Sequence, residues 1–201
     1  MPTPVLEAAL AAGPNHMLYT RLWMASPVHG FGQPKAREDV VTCEVAGTEV
    51  DAVVFQQGEG KIYVDGSAFS PTWPEIASAG LAAVQVHDRV LGKTIKMALS
   101  DDWPQTAAAA ERVVLPLVQL GSQGQHEVAT DCKGVSTGWA KLRSMAQANA
   151  GSIGSFSWTK AHKDAEQCTS DQEMHDWVGN IWADGKANEA ARMYRYEKEQ
   201  L

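Results

Sequence analysis

The sequence lacks three features that would assign it to a class at once: paired cysteines, a long apolar run and a surplus of positive charge. Its three cysteines, Cys43, Cys132 and Cys168, show no C-x-x-C spacing, which argues against a disulfide framework and favours a reducing compartment. No run approaches the roughly 18 apolar residues of a membrane span. Glu7 interrupts the N-terminal apolar stretch, unlike a signal peptide. We expect an intracellular protein, of nucleus or cytoplasm, without membrane contact.

Acidic residues are missing from one long segment, although the chain as a whole is acidic. The formal net charge of −7 disfavours non-specific binding to nucleic acid. From Cys132 to Lys163 no Asp or Glu occurs, whereas five basic residues do: Lys133, Lys141, Arg143, Lys160 and Lys163. The segment predicts one electropositive face. Chance combined with a solvated helix face is the alternative.

The length and composition fit one globular domain with an appendage, since 44% of the 201 residues are hydrophobic. Residues 1–60 show no clear period. They allow a short helix over residues 4–12 and a hairpin around Ala46-Gly47. We interpret residues 1–60 as an N-terminal extension or linker, or as the edge of a larger parent polypeptide, and residues 61–201 as the main domain.

From residue 61 onward, apolar patterns and turn residues predict the element order β-β-β-α-β-α-β-α. Thr106 is the expected N-cap of the first helix, and Pro116 is expected to kink or shorten it. The order predicts an α/β fold with one five-stranded mixed sheet and helices packed against it. The predicted strands cover residues 61–69, 79–88, 93–101, 126–131 and 156–160, and the helices cover residues 106–120, 134–149 and a C-terminal stretch around Asp184.

Four carboxylates fall at strategic places in this order: Asp65, Glu111, Asp131 and Asp184. Because the first and fourth strands can be neighbours in a mixed sheet, Asp65 and Asp131 could stand side by side. The helices could bring Glu111 and Asp184 to the same point. Clustered carboxylates repel one another unless cations neutralise them. Oxygen ligands of this kind suit Mg²⁺ or Mn²⁺.

Each of these carboxylates has a simpler explanation when it is taken alone. Asp65 could form a turn after its strand, and Asp131 could begin one. Glu111 could be a solvated helix residue, and Asp184 could favour a helix N-terminus through the macrodipole. Four such coincidences in one chain are harder to accept than a shared site.

Five segments, in order, resemble the motifs of the type 1 ribonuclease H family: IYVDGSA, QTAAAAE, ATDCKGV, SWTKAH and GNIWADGKANEAA. They fall within residues 61–195 and agree with the family in order, residue type and predicted secondary structure. The stretch DGSAFSPTWPE, followed by AGLAAV, is more similar to the ribonuclease H domains of retroelement polyproteins, of the non-LTR kind, than to the stand-alone enzyme. A reverse-transcriptase polyprotein would be the corresponding parent.

The resemblance implies a ribonuclease H-like fold and an endonuclease that hydrolyses the RNA strand of RNA–DNA hybrids. It implies a two-metal-ion mechanism with Mg²⁺, or Mn²⁺, in which water attacks the scissile phosphate in line. Asp65 would bridge both ions. The implied metal ligands and catalytic residues are Asp65, Glu111, Asp131 and Asp184.

The resemblance also implies a catalytic-loop histidine and a set of substrate contacts. His162, after Trp158, matches the position of the family's histidine, and an imidazole near its ordinary pKa could serve in proton transfer. His175 is the alternative, because it lies closer in sequence to Asp184 and because residues 163–178 look like a loop longer than the family's usual one. The expected substrate contacts are Gly66, Ser67, Thr106, Lys133 and Asn180.

Three features depart from the family pattern. Ala107 and Ala108 stand where amide side chains commonly grip the minor groove of the hybrid. Cys132 replaces a serine after the aspartate, and Pro116 lies in the helix that carries Glu111. Two other functions therefore stay open. One is a catalytically weak or inactive nucleic-acid-binding module of a reverse-transcriptase polyprotein. The other is a different nuclease of the same broad fold, such as an integrase, transposase or exonuclease, against which GNIWAD argues.

Overall fold

The computed structural model describes residues 37–69, 77–138, 153–160 and 164–194. All of these residues belong to one compact unit, Arg37–Arg195. The predicted helix over residues 4–12 and most of the predicted helix over residues 134–149 lie outside the described residues, although residues 133–138 are helical. The strands are β1 (Val40–Val45), β2 (Thr48–Val50), β3 (Phe55–Gln56), β4 (Lys61–Phe69), β5 (Ser78–His87), β6 (Val90–Ala98), β7 (Ser122–Gln123), β8 (His126–Thr130) and β9 (Ile153–Trp158), and the α-helices with complete bounds are α1 (Ala107–Leu120) and α2 (Asp171–Arg192).

A mixed sheet with the strand order β2-β1-β6-β5-β4-β8-β9 forms the centre of this unit. The strands β4, β5 and β6 pair as an antiparallel meander. The strand β8 then joins β4 in parallel, and β9 joins β8 in parallel. The predicted α/β class, the meander and the later parallel strands are therefore confirmed.

The five predicted strands are all present, but the predicted number is too low, because the sheet has seven strands within the described residues, two of them from residues 1–60. Ala46 and Gly47 take positive φ angles of 49° and 78°, which is the backbone that a two-residue hairpin turn requires. The hairpin of β1 and β2 therefore forms, and β1 pairs along β6 from Val40 to Val45. This pairing occupies the edge of β6, which would otherwise expose unpaired backbone groups.

The two helices lie on opposite faces of the sheet, because successive side chains of a strand point to alternate faces. On one face, Ile62 and Val64 of β4 share a buried cluster with Val114 and Val118 of α1. On the other face, Tyr63 packs against α2. The buried residues of α2 are Gly179, Ala183, Ala187, Ala190 and Ala191, whose small size lets the helix approach the strands closely.

The ends of the helices follow local capping, with two departures from expectation. Thr106 caps α1 as predicted, since its hydroxyl accepts a hydrogen bond from the Ala109 amide. Pro116 does not end or shorten α1, which continues to Leu120. The proline is exposed, so water can reach the carbonyl oxygen four residues earlier, to which proline has no N–H to donate. The helix α2 begins at Asp171, capped by Ser170, so part of the predicted long loop is helical.

Within the described residues, no helix is long and apolar enough to cross a membrane.

Candidate metal centre

The candidate site lies where β4 and β8 stop pairing. Their last paired residues are Val64 and Thr130. After Thr130 the chain leaves the sheet at Asp131, whereas β4 continues beside β5 to Phe69. Asp65 and Asp131 therefore follow the last pair on two neighbouring parallel strands. Asp65 lies within β4 and not at its end, so its interpretation as a turn residue is wrong. The pairing of β4 with β8 ends one residue earlier, at Val64.

A close approach of α1 to β4 brings Glu111 to the same point. A Cβ atom on Gly66 would lie 2.5 Å from the Glu111 amide nitrogen and 2.9 Å from the Ala107 carbonyl oxygen. Those distances are too short for any side chain, so only glycine lets the helix cross the strand here. The sequence Asp65-Gly66 thus combines a carboxylate on one face of β4 with the contact on the other face that delivers Glu111.

Three of the four predicted carboxylates form one cluster. One carboxylate oxygen from each of Asp65, Glu111 and Asp131 lies within 4.8 Å of the others, and each residue is partly buried. Several carboxylate oxygens converging from separate elements are the donor set that hard divalent cations prefer. The three residues could therefore hold a metal ion.

The electrostatics of the cluster agree with a requirement for positive charge. Burial and the negative charges of Asp131, Asp184 and Glu111 raise the pKa of Asp65 to about 8, although the Gly66 amide opposes the shift. Burial also raises the pKa of Glu111, and Asp131 adds to this, whereas a hydrogen bond from the Cys132 thiol lowers it. Without a cation, Asp65 would hold a proton at neutral pH. A bound cation would displace that proton.

Asp184 lies beside this cluster rather than within it. The residue is exposed on α2, and its charge contributes to the raised pKa of Asp65. Asp131 and Asp184 line one cleft together with Lys160 and Asn180. The explanation of Asp184 by a helix N-terminus is wrong, because α2 begins at Asp171. The structure therefore gathers three of the predicted ligands and places the fourth at the rim.

The predicted substrate contacts have partners of their own. The Ser67 hydroxyl donates to Asn188 Oδ1 at 2.8 Å, and Asn180 Nδ2 donates to Thr159 Oγ1 at 2.7 Å. Thr106 caps α1, and Gly66 is the buried contact point for that helix. Of the predicted basic face, Lys133 and Lys160 are described and exposed.

The two histidine candidates have different outcomes. His162 lies outside the described residues. His175 lies in α2 and not in a loop, and its Nδ1 is 2.7 Å from the Tyr63 hydroxyl.

Two residues near the carboxylates were not singled out from the sequence. Trp158 Nε1 donates to the Asp131 carbonyl oxygen at 2.8 Å. Asn188 Nδ2 donates to Asp184 Oδ1 at 2.9 Å. The spacing of four residues between Asp184 and Asn188 on a predicted helix could have indicated the second contact; no sequence signal indicates the first.

The fold and the site together define a mixed α/β protein with a carboxylate cluster at the point where two neighbouring parallel strands separate. No protein-family model matches the chain, and no curated protein matches it.

Proposed function

We propose that this chain is a metal-dependent endonuclease that hydrolyses the RNA strand of RNA–DNA hybrids. One observation carries the proposal: carboxylates from β4, from α1 and from the residue after β8 converge within 4.8 Å, with Asp184 nearby. These are the residues that the resemblance to the ribonuclease H family implied. The agreement is informative because the positions come from four separate parts of the sequence.

The donor set fits Mg²⁺ and also Mn²⁺, since all the converging atoms are carboxylate oxygens. Bound cations of this kind would supply charge stabilisation for the attacking and leaving oxygens of a phosphodiester displacement. Asp65, Glu111 and Asp131 would hold one such ion. Because a cation competes with the proton on Asp65, the affinity for the cation should rise as the pH approaches the pKa of that carboxyl in the metal-free protein, about 8.

A second candidate function is a nucleic-acid-binding module that cleaves weakly or not at all. Ala107 and Ala108 begin α1, and their methyl groups offer no hydrogen bond to a minor groove. Ser67 and Thr106, which could compensate, already bond to Asn188 and to the Ala109 amide. The convergent carboxylates favour the nuclease, because a pure binding module would gain nothing from their mutual repulsion.

Cleavage of a labelled RNA–DNA hybrid in Mg²⁺ tests the proposal. We expect cuts in the RNA strand, no cuts in duplex DNA, and loss of cleavage in Asp131→Asn. The matched control is Asp51→Asn, which changes an exposed aspartate beside the hairpin and should cleave like the parent. A parent that binds the hybrid but cuts it in neither Mg²⁺ nor Mn²⁺ would refute the nuclease and favour the binding module.

A further inference from the structure

Asp184 is held by one neighbour on its own helix. The Asn188 side-chain amide donates two hydrogen bonds, to the Asp184 carbonyl oxygen and to Asp184 Oδ1, both at 2.9 Å. The oxygen of the same amide, Asn188 Oδ1, accepts a hydrogen bond from the Ser67 hydroxyl at 2.8 Å. All three contacts agree on one orientation, because a flipped amide would place its oxygen against two acceptors. The Asn188 side chain therefore has a single favoured position.

These contacts connect Asp184 to the strand that carries the carboxylate cluster. Ser67 lies two residues after Asp65 in β4, and residues two apart point to the same face of a strand. The hydrogen bond from Ser67 to Asn188 and the one from Asn188 to Asp184 therefore tie the exposed carboxylate of Asp184, on α2, to β4. Asp184 Oδ1 accepts a hydrogen bond from the Asn188 amide, which fixes the plane of the carboxylate and leaves Oδ2 the less occupied oxygen for a cation.

We propose that Asn188, which is itself held by Ser67, is a positioning residue that orients Asp184 as the outer ligand of the cation site. This inference rests on the proposed function, because it requires cations at the carboxylates. Hydrogen bonds from outside the coordination sphere orient metal ligands and fix which oxygen faces the ion. Without the amide, Asp184 would rotate freely at the exposed surface, and cation binding would have to order it.

The first test measures Mn²⁺ binding to the full chain without nucleic acid, with electron paramagnetic resonance of the free ion as the readout. Asp184→Asn defines the part of the isotherm that depends on Asp184. We expect Asn188→Ala to weaken that part by about tenfold, at the lower end of the range for partners of metal ligands. Ser67→Ala should change it in the same direction but less, and the double variant should match Asn188→Ala alone.

The control variant is Gln172→Ala. Gln172 is also an amide of α2 that donates to a carboxylate four residues away, Asp176, at 3.1 Å. Its loss should leave Mn²⁺ binding unchanged. Thermal unfolding of each variant tests whether a difference in Mn²⁺ binding arises from unfolding.

A second readout separates positioning from a general structural role. In hybrid cleavage, Asn188→Ala should raise the half-saturating Mg²⁺ concentration, while saturating Mg²⁺ should restore the rate to within about twofold of the parent. The inference is overturned if Asn188→Ala superimposes on the parent isotherm, or if Asp184→Asn itself leaves Mn²⁺ binding unchanged. A parent that binds no Mn²⁺ would instead overturn the proposed function and this inference with it.

Discussion

Replacing Asp65 by asparagine should stabilise the metal-free protein, which is the opposite of the usual effect of changing a partly buried residue. The folded state raises the pKa of this carboxyl from 3.8 to about 8, so it holds the proton more tightly than the unfolded chain does. The stabilisation of the folded state by this tighter proton binding is fully present below pH 3.8, and it is lost as the pH rises to about 8. Asparagine is nearly isosteric, carries no charge and avoids this loss.

The size of the effect follows from the same shift. Each pKa unit corresponds to about 1.4 kcal/mol, and pH 7 lies about three units above the ordinary pKa of 3.8, so keeping Asp65 protonated at pH 7 costs on the order of 4 kcal/mol of folding free energy. Asp65→Asn should gain about that amount over the parent in EDTA at pH 7, and the difference should vanish near pH 4. Urea unfolding at several pH values measures both quantities. Asp51→Asn, an exposed change, should alter stability by less than about 0.5 kcal/mol.

Cations should reduce this difference in stability. Ligands that bind only the folded state stabilise it by mass action, and Asp65 is one of the three residues that could hold the ion. Saturating Mg²⁺ should therefore stabilise the parent and have little effect on Asp65→Asn. A metal-free Asp65→Asn protein that is less stable than the parent at pH 7 would refute this account of the cluster.

Two glycine substitutions test the close approaches that set the geometry. Gly66→Ala would place a Cβ atom 2.5 Å from the Glu111 amide nitrogen; we expect a loss of about 1–3 kcal/mol in urea unfolding and weaker Mn²⁺ binding, because α1 must move. Gly179→Ala would place a Cβ atom 2.3 Å from the Tyr63 ring and should cost a similar amount in the same assay. Gly185→Ala, whose Cβ would meet nothing within 4 Å, is the control for both and should be neutral or stabilising, as expected for alanine in a helix; equal losses in all three variants would contradict the packing explanation.

Much of the fold could be predicted because its signals are local. The strands β4, β5 and β6 are apolar runs separated by short turns, and Thr106 has the residue type that caps a helix. The prediction that Asp65, Glu111, Asp131 and Asp184 converge followed from the element order together with the resemblance, and the first three form a cluster. Parallel pairing of β4 with β8 then needed only the usual rule for strands joined through a helix.

The features that were not predicted depend on distant contacts. The pairing of β1 with β6 joins residues far apart in the chain, and nothing within residues 1–60 specifies that edge. The first part of α2, residues 171–178, was mistaken for a loop because none of its residues is fully buried, so this segment shows no clear apolar face. Asp184 was expected within the cluster, but its position depends on Asn188 and on how α2 packs.

The helix that carries Asp184 is fixed to the sheet by charged residues before and after that position. Toward its start, Asp176 Oδ1 accepts the Tyr63 hydroxyl at 2.7 Å and lies 2.9 Å from Lys61 Nζ. Lys61 and Tyr63 belong to β4, the strand of Asp65. This half of α2 is therefore tied directly to the strand that bears the carboxylate cluster.

The other anchor of α2 involves the hairpin that the sequence suggested was an extension. Lys186 Nζ lies 2.8 Å from Glu44 Oε2, and Lys96 of β6 contacts the other oxygen of the same carboxylate. Although burial alone would raise the pKa of Glu44, the neighbouring ammonium groups of Lys186 and Lys96 hold it below its usual range. Removing the Glu44 charge would leave two neighbouring ammonium groups with one shared carboxylate, that of Glu189, instead of two. Because Glu44 is buried, the cost should exceed that of an exposed surface pair. Because Lys186 follows Asp184 by two residues, β1 helps to set the position of Asp184 beside the candidate metal centre.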